Sequence, residues 1–153
     1  MKKKLTRQEK EDFKDFIMSY LQYGHVANFA EIELMFELRG LDWRGEWTIG
    51  NHAHNAVLWY GWNKSAKDII CELADEGKIY FLPLDRALEA YKKYNNVLEL
   101  PIAHDPTHKY KDPHWLPVLI LDEVAIGKKK PKKYETGFTE EQFKKIGAKL
   151  FIK

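Results

Sequence analysis

The chain carries a single cysteine, Cys71, among 153 residues, with three methionines and six prolines. One thiol cannot close an internal disulfide, so stability has to come from a packed core, and a reducing, intracellular setting is expected. Long apolar runs are also missing. The longest, residues 56–62 and 115–121, fall far short of the ~20 residues that cross a bilayer. Lys2, Lys3 and Lys4 lead into the polar stretch 6–15 and not into the apolar core of a secretory leader. No glycine-rich phosphate loop occurs, and neither Ser19 nor Ser65 sits in a nucleophile elbow. These absences point away from secreted, membrane-spanning and enzymatic classes, and the expectation is a cytoplasmic protein without a cofactor. What is present is ample material for one core: 44% of the residues are hydrophobic and 14% aromatic, which excludes a disordered chain.

Charge is distributed unevenly. The chain has 25 basic and 23 acidic residues, a formal +2. Eight of the lysines lie in two clusters, Lys2 to Lys4 and then Lys128, Lys129, Lys130, Lys132 and Lys133. Without those eight the balance is 17 against 23, so the rest of the chain is acidic. Phosphate neutralisation supplies most non-specific affinity for nucleic acid, and an acidic body opposes it.

Local signals divide the chain into elements. Thr6 and Glu9 form a capping box ahead of Phe13, Phe16, Ile17, Tyr20 and Leu21, an amphipathic helix over 7–23 that Gly24 ends. Asn28 opens a second helix with Phe29, Ile32, Met35 and Phe36 on one face and Gly40 as its stop. Residues 41–55 read as a loop containing Trp43 and Trp47, and 56–60 as a buried strand. Asn63 caps a third helix whose inner face is Ala66, Ile69, Ile70, Leu73 and Ala74, and Gly77 suits its left-handed terminus. A strand at 79–82 follows. Leu84, Ala87, Leu88 and Tyr91 fit a helical period, but Asn95-Asn96 sits where a hairpin turn would, and the irregular hairpin is the reading favoured for 84–94. A last strand at 116–121 contains Pro117 and so belongs at an edge. The expected fold is α+β: a winged-helix-like body over 5–122 with a small antiparallel sheet, a basic linker at 127–134, and a C-terminal helix at 138–151. Thr139 and Gln142 make a second capping box there, with Phe143, Ile146 and Leu150 behind it.

Leu100-Pro101-Ile102-Ala103, followed by Lys111-Asp112-Pro113-His114-Trp115-Leu116-Pro117-Val118, resembles the C-terminal signature of small proteins from phages and pathogenicity islands of Gram-positive bacteria. Leu58-Trp59-Tyr60-Gly61-Trp62 and Gly77-Lys78-Ile79 occupy corresponding places, so the resemblance covers about 55–121. It implies a mobile-element accessory protein in a bacterial host cell, and it brings no catalytic residue with it. Loci of that kind are rich in gene regulators and in inhibitors of host defence, anti-CRISPR proteins among them.

The residues offer two binding readings. In the first, Trp43, Arg44 and Trp47 form aromatic anchors beside an acidic helix face with Asp68, Glu72 and Asp75, suited to a basic surface of a host protein. A nucleic-acid-handling or defence enzyme, such as a CRISPR nuclease, has that kind of surface. In the second, a winged-helix regulator contacts DNA through Lys64 and Lys67 on the third helix, with Lys128, Lys129, Lys130, Lys132 and Lys133 adding salt-sensitive affinity. The third helix nets −2, which favours the first. His52 and His54, and the group His104, Asp105, His108 and His114, lack a structural zinc spacing and read as surface or hydrogen-bonding residues, so no metal is expected. Cys71 reads as a buried filler.

Overall fold

The computed structural model describes residues 4–84 and 86–127, the side chain of His52 excepted. The linker and helix expected at 128–134 and 138–151 lie outside the described residues. Among the described residues the architecture is α+β, with five α-helices and two small sheets.

The first three helices form where their caps place them. Helix α1 spans Arg7–Leu21; the Thr6 hydroxyl accepts from the Glu9 N–H, and the Glu9 carboxylate accepts from the Thr6 N–H. Helix α2, Phe29–Leu38, starts on Asn28, whose side chain accepts from the Glu31 N–H at 2.8 Å. Helix α3, Lys64–Asp75, starts on Asn63 in the same way. Each such cap is worth about 1 kcal/mol. Gly24, Gly40 and Gly77 take positive φ just after the helical segments, the conformation that lets the chain turn away.

Residues 41–55 are not a loop. Strand β1, Arg44–Asn51, pairs antiparallel with β2, Ala56–Trp62, through a ladder broken by bulges at three points. Gly50 sits at one of them, where a Cβ would collide with the Ala56 carbonyl. Glycines needed for close backbone approach therefore give a strand the composition of a loop. Strand β4, His114–Trp115, joins the other edge of β2 in parallel. A second sheet pairs β3, Ile79–Pro83, antiparallel with β5, Val118–Asp122, and Ala27 adds a single antiparallel bridge to Ile120. Pro117 falls between β4 and β5, where no ladder N–H is required.

The segment favoured as a hairpin contains helix α4, Ala87–Lys93. Tyr91 decides the matter. It is fully buried, its hydroxyl accepting from the Phe29 N–H and donating to the Val118 carbonyl, both at 3.1 Å. Asn95 has the positive φ of a turn, but it ends a helix. Helix α5, Glu123–Ile126, closes the described chain by packing beside the 22–24 turn.

The core is aromatic. Phe29, Trp59, Tyr91 and Trp115 pack in succession with ring centroids 5–6 Å apart, and Phe36 and Trp62 join the cluster. The Trp115 indole donates to the Leu58 carbonyl at 3.2 Å, so the proline-flanked motif pins the last strands onto β2. Cys71 is buried with the inner face of α3.

Candidate protein-interaction surface

The tryptophan segment and the acidic helix do meet, but their encounter is internal. Trp43 is a core residue, with the Arg44 guanidinium 4.4 Å from its ring centroid. Arg44 also pairs with Asp42 at 3.0 Å. Trp47, half-buried, lies over Lys67, whose ammonium is 4.6 Å from the ring centroid and 2.6 Å from Asp68 Oδ1. Lys67 is wholly inaccessible, and its contact with Asp68 is a charge contact without hydrogen-bond alignment. Asp68 in turn holds Lys64 at 2.8 Å and Lys10 at 3.6 Å. Burial pushes the Asp68 carboxyl up, but Lys64 and Lys67 outweigh it and hold it below the ordinary range.

Two expectations need correction on these contacts. Trp43 and Trp47 are not projecting anchors, and Asp68 is not a surface acid; Trp47 and Asp68 make burial of the Lys67 charge tolerable. Lys67 cannot reach a phosphate, and the Lys64 ammonium is held against Asp68. Glu72 pairs with Lys14 at 2.9 Å, and Lys14 touches Glu11 and Glu76 as well. Burial draws the Lys14 ammonium down, yet its hydrogen bonds to Glu72 and Glu11 hold it above the usual lysine range. Asp75 is exposed. The five lysines from Lys128 to Lys133 lie outside the described residues.

A different surface carries unpaired apolar area. On α2 the buried stripe is Phe29, Ile32, Met35 and Phe36, while Leu34 and Leu38 point outward at 45% and 80% exposure. Glu31, Leu34 and Leu38 are spaced i, i+3, i+7 and form one outer ridge. Tyrosines flank it. The Tyr20 hydroxyl donates to Glu31 at 2.8 Å, and that bond, with burial second, pushes the phenol up to about 12. Burial pushes the Glu31 carboxyl up, against the Tyr20 and Asn28 hydrogen bonds. Tyr94 is raised by burial and by the Glu31 charge. Tyr23, in the turn after α1, is 93% exposed at positive φ.

Beneath the ridge, Glu33 fixes α2 to the core. One carboxylate oxygen accepts from the indole N–H of Trp59 at 2.8 Å and of Trp62 at 2.9 Å, and the other from the Asn96 amide at 2.9 Å. Val97, next to Asn96 in sequence, is exposed. An apolar patch with a polar rim is the signature of an interaction site, and tyrosine is favoured at binding hot spots. The signal was available: Leu34 and Leu38 fall off the apolar stripe of α2, leaving the helix hydrophobic on two sides.

His54, His108 and His114 make local contacts. Tyr110 stacks on His114 at 4.1 Å between centroids and meets His108 edge-on at 4.6 Å. His114 Nδ1 is 2.7 Å from the Asp112 carbonyl, and His54 Nδ1 is 3.4 Å from that of Pro106. Among the described residues no group of three His, Cys, Asp or Glu is placed to hold a metal ion. A cleft of about 420 Å³ between Leu88, Ile102, Leu116 and the prolines 83, 106 and 117 is mainly apolar, with His104 at its wall. Among the described residues no helix is long and apolar enough to cross a membrane. Comparison of the chain with protein-family models, curated proteins and solved structures finds no match.

Proposed function

We propose that this chain is a non-enzymatic accessory protein of a mobile element, acting in a bacterial cytoplasm by binding a basic surface of a host protein. A nucleic-acid-handling or defence enzyme, of the kind that anti-CRISPR inhibitors block, fits the required charge. One observation carries the reading: the outer face of α2 exposes Leu34 and Leu38 beside Glu31 and Glu37, with Tyr20 and Tyr94 next to Glu31. Residues 4–127 hold 14 basic and 20 acidic side chains, so attraction to a basic partner is long-range while the apolar ridge supplies affinity. The site thus moves from the Trp43–Trp47 segment to α2, and the partner chemistry stays the same.

The runner-up is a winged-helix regulator. It draws on the order Ala27–β5–β3 behind three helices, the strand arrangement such a body needs, with the β1–β2 hairpin as an insertion between α2 and α3. Against it, the outer side of α3 presents Glu72, Asp75 and Glu76, and Lys67 is buried. Affinity capture from bacterial lysate with the full chain and with Leu34→Lys/Leu38→Lys, alongside a duplex gel shift, separates the two. Capture of a basic protein that the variant loses supports the proposal. A sequence-selective shift surviving ~200 mM salt supports the regulator.

A further inference from the structure

We propose that the backbone edge at Ile102 and the apolar cleft beside it form a peptide-binding site, which takes an extended polypeptide segment with one large apolar side chain at its centre. The site is separate from the α2 ridge, and its test does not depend on that reading.

The sheet supplies the first argument. The order β1, β2, β4 continues beyond Trp115, because Ile102 adds a parallel bridge to it. The Trp115 N–H donates to the Pro101 carbonyl and the Trp115 carbonyl accepts from the Ala103 N–H, both at 2.7 Å. Successive residues of an extended chain turn their backbone groups to opposite edges, so the N–H and C=O of Ile102 point away from β4. Among the described residues no backbone group pairs with either. An added strand pairs with an edge of this kind.

The cleft is the second. At about 420 Å³ it has the size of a ligand site, and Ile102 and Ala103 belong to its lining. Leu84, Leu88 and Leu116 make it mainly apolar, and Leu84, Leu88 and Ile102 are only half-buried, so its walls retain area to cover. Among the described residues the lining has no acidic side chain, so a cationic group would enter without a partner.

The prolines are the third. Pro83, Pro106 and Pro117 also line the cleft, and proline has no N–H, so none of them can satisfy the Ile102 carbonyl. One residue of an extended peptide brings the missing donor and the missing acceptor together. Its side chains alternate between faces, so one can fill the cleft while its neighbours stay in water. A compact apolar molecule would meet the cleft and leave the Ile102 pair unmet.

The test titrates the full chain, with labelled backbone nitrogens and leucine methyl groups, with blocked pentapeptides Ser-Thr-X-Thr-Ser in which X is Leu, Phe, Ala or Lys. The Leu and Phe peptides should shift the Ile102 amide signal and the Leu84, Leu88 and Leu116 methyl signals, and leave those of Leu34 and Leu38 in place. The Ala and Lys peptides should bind at least about tenfold more weakly. Ile102→Pro deletes the outward N–H but keeps the Pro101 and Ala103 groups that pair with Trp115, and should weaken the Leu peptide at least about tenfold. Ile102→Val keeps the N–H and should change that affinity by no more than about threefold. If Ile102→Pro does not fold, the Ile102 amide shift in the parent chain decides. No shift with the Leu or Phe peptide at ~5 mM overturns the proposal. Cleft methyl shifts without an Ile102 amide shift, or equal affinity for isoamyl alcohol, also overturn it, because the cleft then takes small apolar molecules. An Ile102 shift that grows with protein concentration in the absence of peptide overturns it too, since the edge is then paired with a second copy.

Discussion

Lys67 of α3 lies beneath the indole of Trp47 in β1, its ammonium 4.6 Å from the ring centroid and wholly out of solvent. A charge so placed would cost several kcal/mol alone, and Asp68 at 2.6 Å is what offsets it. The contact binds the β1–β2 hairpin to the third helix.

Asp68→Asn should destabilise the protein by about 3–5 kcal/mol at neutral pH, because it strands the buried Lys67 charge. Lys67→Met should cost much less, since Lys64 and Lys10 still face Asp68 and a methyl thioether packs well under Trp47. Urea unfolding of both variants checks the order. The Asp68 carboxyl is held below its ordinary 3.8, so its stabilisation is present above that pH and is lost as pH falls through the lower folded value. Asp68→Asn should therefore flatten the acid limb of stability against pH.

Tyr20 acts at the opposite end of the scale. Its phenol rises from 10.0 to about 12 in the folded protein, so its contribution is intact below pH 10 and disappears as pH climbs toward 12. Tyr20→Phe should cost about 0.5–1 kcal/mol at pH 7 and remove part of the alkaline loss. Thermal melts between pH 8 and 11 measure both.

Glu33→Gln should lower stability by about 1–3 kcal/mol, because a single amide oxygen replaces a carboxylate that satisfies two indole N–H groups and the Asn96 amide. A change in tryptophan emission should accompany it.

Gly50→Ala should destabilise by about 1–3 kcal/mol, because the new methyl meets the Ala56 carbonyl and the Val57 backbone across the hairpin. Gly61→Ala meets no atom within 4 Å but must hold φ +95°, so its cost is backbone strain alone. Chemical denaturation compares them.

The legible parts of this fold are the ones set by neighbours in sequence. Thr6, Asn28 and Asn63 announce three helices because a cap works within three residues. Strand β1 was hidden because Gly45, Gly50 and Asn51 suit both a loop and a bulged hairpin, and only the partner strand separates the two. The stretch 87–93 was ambiguous until Tyr91 found Phe29 and Val118, contacts made across 62 and 27 residues. The interaction site failed for the same reason. Trp43 and Trp47 look like exposed anchors until Arg44 and Lys67 are placed on their rings. Leu34 and Leu38, by contrast, were readable from the α2 period alone.

The most direct measurement is the affinity of the captured partner for the full chain and for Leu34→Lys/Leu38→Lys, taken with their melting temperatures. Both leucines are solvent-facing, so stability should change by no more than about 0.5 kcal/mol. Binding should weaken at least about tenfold, a loss of 1.4 kcal/mol or more. Equal affinity in an equally stable variant would contradict the assignment of the α2 ridge as the binding face.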